Sequence, residues 1–266
     1  MFYASPDWTL ARYAEVLQVA KQRFSFEPFG TASQSPHTIW RHDIDYSVEH
    51  ALRLGQIEAQ HGVRATYFLL LGSPYYNLLD ITTGQLLREI VRLGHWIGLH
   101  FDPERHPNIV QAAELEQRMA WERGILSDLA AAPVDAVSFH NPAFAGVLHM
   151  DDEQLAGMTN AYSARLQKDY AYCSDSFGFW RFRPLHEVVS DAAVTRLHAL
   201  THPVWWWDRP MGSRERIAAA VRRDAERTAA IHDDLLQRAG QLDAVIAADR
   251  ARGFHSAPWR PAHPGE

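Results

Sequence analysis

The segment TIWRHDIDYS carries Arg41, His42, Asp43 and Asp45 out of an apolar run. In an extended chain, side-chain direction repeats every two residues, so Asp43 and Asp45 project to the same side. Two carboxylates that close repel unless a cation or a shared proton relieves them. One can therefore bind a metal while its neighbour handles a proton. Arg41 or His42 beside them can keep Asp43 ionised. An Asp-x-Asp pair also occurs in solvated turns, so the pair decides nothing by itself.

Similar strand ends recur along the chain. In GHWIGLHFDPERH the run Trp96, Ile97, Leu99 ends in His100 and Asp102. VDAVSFHNPAF ends in His140 and Asn141 before Pro142, and LHALTHPVWWWD reaches His202. The carboxyl end of a parallel strand is where α/β barrels build their sites. His95 precedes its strand and belongs to the opposite end, so it reads as structural. A single strand-end histidine is more often a packed, hydrogen-bonded residue than a ligand. His100, His140 and His202 beside paired aspartates reverse that expectation and point to a metal centre.

These tips need a scaffold, and from Thr38 onward short β-rich runs alternate with helical patterns, the signature of repeated βα units and a parallel sheet. Strands are expected at 38–42, 65–71, 96–100, 136–140, 160–163, 172–174 and 194–200. Thr82 and Gln85 form a capping-box pair with Ile81 and Leu86 at staple positions, which predicts a helix over 83–93. A second helical pattern covers 108–129, interrupted at Gly124. A third covers 213–252, with Ile217, Val221, Ile231, Leu235, Leu242 and Ile246 at helical spacing and a break near Gly240. It keeps no heptad, which argues against a coiled coil. The Pro-rich tail SAPWRPAHPGE is expected to be loosely ordered.

The 266 residues, 47% of them hydrophobic, are enough for one sizeable core, and a single domain over 1–266 is expected. A formal charge of -6 leaves no electrostatic footprint for nucleic acid or an anionic membrane. There is no apolar stretch long enough to span a bilayer and no basic, apolar leader, so a cytoplasmic location is expected. Cys173 is the only cysteine and reads as a small buried strand residue.

The motifs RHDID, GLHFD, SFHNP, SDSFGFW and HPVWW, in that order from about Ile39 to Trp207, resemble those of the polysaccharide deacetylases. These are the NodB-homology domains of carbohydrate esterase family four, and the likeness is greatest to a surface-glycan-locus subgroup. The resemblance implies an α/β fold, a distorted, incomplete barrel of about seven parallel strands, here followed by a long C-terminal helix. It implies one divalent cation, most simply zinc, and hydrolysis of an N-acetyl or N-formyl group on a carbohydrate or glycan precursor. An impaired sugar-binding domain and an O-deacetylase are the alternatives. By the same resemblance Asp43 matches the family's catalytic base, Asp45 and His100 its metal ligands, and His202 its general acid. Asp175 matches an aspartate that orients the machinery, and Trp180 an aromatic that lines the groove.

One departure concerns the third ligand. The family's second motif is usually His-x-x-x-His, whereas here Glu104 stands four residues after His100. His140, Asp102, Glu104 and His106 are the candidates. His140 is favoured, because a strand-end imidazole is held rigidly and three protein ligands with an open position is the pattern of catalytic zinc. Asn141, Asp102, Arg41 and His42 are then expected around the centre. Trp205 is expected as an apolar wall among Trp205, Trp206 and Trp207, which cannot all point one way. Tyr75, Tyr76 and Asn77 lie in a loop where contact with substrate and simple packing are equally good readings.

Overall fold

The computed structural model describes residues 8–31, 33, 36–109, 111–142 and 150–254, which fall into two units divided between Ser213 and Arg214. The strands of the first unit are β1 (Ser25–Phe26), β2 (His37–Ile44), β3 (Thr66–Leu69), β4 (Trp96–Phe101), β5 (Val134–Phe139), β6 (Gln154–Leu155), β7 (Met158–Asn160), β8 (Ala171–Ser174) and β9 (Arg196–Thr201). Its helices are α1 (Leu10–Arg23), α2 (Val48–Gln60), α3 (Ile81–Arg92), α4 (Ala112–Ala130), α5 (Ala164–Asp169) and α6 (Leu185–Ser190). The sheet order is β6-β7-β5-β4-β3-β2-β9-β8, with β1 beside β2. All neighbours are parallel except β6 with β7. Six of the expected strands are found, as β2, β3, β4, β5, β8 and β9, whereas the strand expected at 160–163 lies earlier, as β7 at Met158–Asn160, and shares only Asn160 with the expectation.

This sheet is rolled. Three strands separate β2 from β7, so a flat sheet would place them about 19 Å apart at about 4.8 Å per step. Yet Arg41 of β2 donates through Nη2 to the hydroxyl of Tyr162, just past β7, at 3.2 Å. The order ends on β8 and β6, so among the described residues the barrel stays incomplete. Its interior is filled by side chains of alternate strand positions. Phe68 packs with Ala136 and Ala161, and Phe29 closes over Phe68 at 5.3 Å and His198 at 5.5 Å between ring centroids. Gly98 is required here, because a Cβ would lie 2.5 Å from the Phe68 ring.

The outward faces of the same strands meet helices. Buried Tyr13, Val16, Leu17 and Ala20 form the inner stripe of α1, whose first turn is capped by the Thr9 side chain. Helix α2, capped by Ser47, turns Ala51, Leu54 and Glu58 inward. The fully buried Glu58 would be costly alone. Its Oε1 lies 2.6 Å from His42 Nε2 and accepts from the Tyr13 hydroxyl, and its Oε2 accepts from Tyr67 at 2.6 Å. His42 Nδ1 in turn meets Thr201 Oγ1 at 2.7 Å, so one network joins α1, α2, β2, β3 and β9.

Several expectations need correction. The cap of α3 is Asp80, whose carboxylate accepts from Thr83 N at 3.0 Å, and Thr82 lies inside the first turn. Asp accepts this bond as well as Ser or Thr, so two adjacent cap signals competed. Helix α4 runs unbroken through Gly124, since a single glycine lowers helix stability without ending the helix. The second unit holds α7 (Ser213–Arg238) and α8 (Leu242–Ala251), and the break falls at Gly240, with φ +67°. The tail from residue 256 lies outside the described residues. No described helix is long and apolar enough to cross a membrane.

Candidate metal centre

The tips of β2, β4, β5 and β9 converge at the carboxyl end of the barrel. Strand β2 continues to Ile44, so Asp45 stands just beyond it while Arg41 and Asp43 point inward. The register pairs Arg41 with Leu200 and His100 with Ser138, which brings the tips of β9 and β5 to the same level as those of β2 and β4. Asp45 Oδ1 lies 3.2 Å from His100 Nε2 and 3.6 Å from His140 Nδ1. One ligand atom from each of Asp45, His100 and His140 lies within 4.8 Å of the other two.

The donor set fits a divalent cation. Asp45 Oδ1 is buried and takes no aligned hydrogen bond, as expected of an oxygen shaped for another partner. The far nitrogen of each imidazole is held. His100 Nδ1 meets Ser138 Oγ at 2.7 Å and His140 Nε2 meets the Asn141 amide at 3.0 Å. Such contacts fix the orientation of the two rings, and the hydroxyl or amide partner of each far nitrogen governs which nitrogen carries the proton. Two imidazoles and a carboxylate with an open position are a donor set of catalytic zinc. Asn141 has φ +45°, a left-handed conformation that asparagine tolerates.

Two further pairs flank these three residues. Arg41 grips Asp43 with both arms of its fork, Nε to Oδ1 at 2.9 Å and Nη2 to Oδ2 at 2.7 Å. The guanidinium is itself buried, over the rings of Phe68 and Tyr162 at 5.2 and 5.0 Å. Burial would raise the Asp43 carboxyl, but the Arg41 charge, aided by His100, holds it below its ordinary range. Asp45 is held well below that range too, since contacts from His100 and His140 outweigh its burial. Opposite, His202 Nδ1 lies 2.7 Å from Asp175 Oδ1, and His202 Nε2 is 3.7 Å from Asp45 Oδ2. Burial alone would lower His202, but the hydrogen bond and charge of Asp175, with Asp45 and Asp43, push it up to about 9. His140 is also raised, because contact with Asp45 outweighs its burial.

Other expected residues sit elsewhere. His42 alternates to the outer face of β2 and pairs with Glu58, so of the two residues it is Arg41 that partners Asp43. Asp102 caps its own loop by accepting from Glu104 N at 3.1 Å, and Glu104 is exposed. His106 stacks on Phe101 and lies 3.4 Å from buried Glu122, away from the cluster. Trp180 is buried against Trp8 and Trp206, at 5.7 and 6.3 Å between ring centroids, so it packs instead of lining a groove. Trp205, Trp206 and Trp207 are all buried. Trp205 faces Tyr46 at 6.1 Å. His95 is structural, as expected, with Nδ1 accepting from Ala65 N and Nε2 donating to Gly55 O. Cys173 is buried and donates to Arg183 O. Ser138 was overlooked, although in SFH it stands two residues before His140 and therefore shares its face.

No family model and no curated protein matches the chain. Among solved structures it is similar to a mutant of BA3943, a CE4 family pseudoenzyme with restored enzymatic activity. The match has 16% identity and a TM-score of 0.40, and covers 73% of this chain. The chain spans 64% of that protein's length, less than two thirds.

Proposed function

We propose that this chain is a metal-dependent hydrolase of the polysaccharide deacetylase type that removes an N-acyl group from an amino sugar of a glycan or its precursor. The observation that carries the reading is the placement of a carboxylate, Asp43, and an imidazole, His202, around the Asp45, His100 and His140 cluster. The five sequence motifs named above supply the substrate class. When bound by Asp45, His100 and His140, a zinc ion would polarise the acyl carbonyl and acidify water.

The protein's own residues do the remaining work. Asp43 takes the proton of the attacking water as general base, and Arg41 keeps it ionised and aimed. That same ion pair lowers the basicity of Asp43, so the base role would rely on the acidity that a bound cation would give the water. His202 carries its proton on Nε2, the nitrogen left free by Asp175, and gives it to the departing amine as the C–N bond breaks. An amine needs that proton more than an alkoxide does, which favours amide over ester substrates. Arg41 is committed to Asp43 and so is not a phosphate clamp, which disfavours phosphoesterase chemistry.

The test is elemental analysis of the purified chain, with acetate or formate release measured across free, nucleotide-linked and oligomeric N-acyl amino sugars. Release should fall on chelation and return with zinc. A zinc-loaded protein that releases neither acid from any of them would overturn the proposal.

A further inference from the structure

At the amino end of the barrel, opposite the candidate metal centre, a cavity of about 410 Å³ opens between the starts of β3, β4 and β5. Pro28 and Phe29 from the loop after β1, Trp96 at the start of β4, Pro133 just before β5 and Ala136 within it form apolar walls. Trp96 stands four residues before His100, about 13 Å along β4, so a guest here would not touch the metal ligands. Thr66 shares the inner face of β3 with Phe68 and lines the cavity, with only 2% of its surface exposed. Its hydroxyl has no hydrogen-bond partner, a costly state for a buried polar group and one that a ligand relieves. Exposed Arg64 lies over the Trp96 ring, 4.1 Å from its centroid, and donates through Nε to Gly94 O. Ring and carbonyl thus hold the guanidinium at the cavity wall. The acid on that wall, Asp135, faces Arg123 at 3.4 Å, and His95 has both ring nitrogens engaged by backbone groups.

We propose that this cavity is a binding site for a small hydroxyaryl carboxylate, with its ring against Phe29 and Trp96, its carboxylate on Arg64 and its hydroxyl on Thr66. The volume falls in the range of about 300–1,000 Å³ typical of small-molecule sites, and a mostly apolar wall with a few placed polar groups is their usual make-up. The guanidinium fork matches a carboxylate in shape and charge, and its stacking on Trp96 means that less side-chain freedom is lost on binding. The aromatic walls accept a flat ring in offset or edge-on contact. The Thr66 hydroxyl can both donate and accept, so a ligand hydroxyl satisfies it. None of these residues belongs to the deacetylase site, so the two proposals stand or fall separately.

The full-length protein, with and without zinc, is titrated by calorimetry with para-hydroxyphenylacetate, with phenylacetate, which lacks the hydroxyl, and with para-hydroxyphenylethanol, which lacks the carboxylate. The first should bind at millimolar concentration or below, and each of the others about tenfold more weakly. Arg64→Gln should erase the difference between the hydroxylated acid and the alcohol. Thr66→Val should erase the difference between the two acids. Arg64 is exposed and valine keeps the shape of threonine, so both variants should fold, and an unchanged thermal midpoint and zinc content check this. Failure of para-hydroxyphenylacetate to bind, equal binding of the three probes, or either difference surviving in its variant would overturn the site. Binding of the acid only while zinc is present would place it on the metal centre instead, and that too overturns the site.

Discussion

Asp175 holds His202 at three points, since its carboxylate lies 2.7 Å from the ring Nδ1 and accepts from the backbone N–H of the same residue through both oxygens, at 3.0 and 3.1 Å. One buried side chain thus fixes the position of the residue, the rotation of its ring and the nitrogen that faces Asp45. The buried Asp175 carboxyl is itself pushed up by burial, and His202 is the group that stabilises its ionised form.

Replacing Asp175 by Asn removes the negative charge and should lower His202 from about 9 toward an ordinary imidazole value. The acid role requires the protonated form, so activity is lost as pH rises through that value. The alkaline limb of the kcat profile should therefore move to lower pH in Asp175→Asn, with kcat at its maximum reduced on the order of a hundredfold. A cation beside Asp45 lowers His202 in both proteins, so the direction of the difference survives. An unmoved alkaline limb would detach Asp175 from His202's chemistry.

The two aspartates of the β2 tip should separate. Asp45→Ala removes a cluster member and should abolish stoichiometric zinc, read by elemental analysis after dialysis. Asp43→Asn should retain zinc and lose turnover on the order of a hundredfold or more. Near-normal kcat in Asp43→Asn would end its assignment as base.

His140 and His106 should also differ. His140→Ala removes a nitrogen 3.6 Å from Asp45 Oδ1 and should weaken zinc binding by more than the roughly 10- to 100-fold expected for a residue that only supports a ligand. His106→Ala should leave affinity unchanged, because its ring belongs to Phe101 and Glu122. Competition titration with a chromogenic chelator measures both, and equal losses would contradict the ligand set.

Behind the tips, Glu58 is ionised against its own burial by His42, with further help from His95 and Tyr13. Glu58→Gln keeps the shape and removes the charge that His42 and two tyrosine hydroxyls face. Breaking a buried pair of this kind costs about 3–5 kcal/mol. Urea unfolding should show a loss of that size, and a loss under about 1 kcal/mol would mean that the network relaxes freely.

The positions of β2, β4, β5 and β9 were legible because each apolar run stops at a polar tip, and the period of two put Asp43 and Asp45 on one side. The same rule, extended backward, puts Arg41 with Asp43 and turns His42 to the other face; reading the four polar residues of 41–45 as one cluster hid this. Trp180 could not be placed from local pattern, because its partners Trp8 and Trp206 are far off in sequence. Glu58 carried no signal at all: a lone acid in an amphipathic helix looks solvated until the opposing strand supplies His42 and Tyr67. Helix α1 was passed over for the same reason, since its stripe acquires meaning only against the outer barrel wall.

His202 itself offers the most discriminating test. It follows β9 directly, Pro203 fixes the chain after it, and Thr201 before it is tied to His42, so the ring has little freedom. With Nδ1 engaged by Asp175, only Nε2 faces the centre, 3.7 Å from Asp45 Oδ2. A general acid in this position should contribute roughly a hundred- to ten-thousand-fold, or about 3–5 kcal/mol of barrier. His202→Ala should lower kcat by that order with zinc content unchanged. On an activated phenyl ester, whose leaving group departs without a proton, the loss should shrink to a few-fold. A ligand or packing role predicts the same loss on both substrates, together with lost zinc in the first case or lower stability in the second. An equal loss on activated and unactivated substrates would therefore remove His202 from proton transfer.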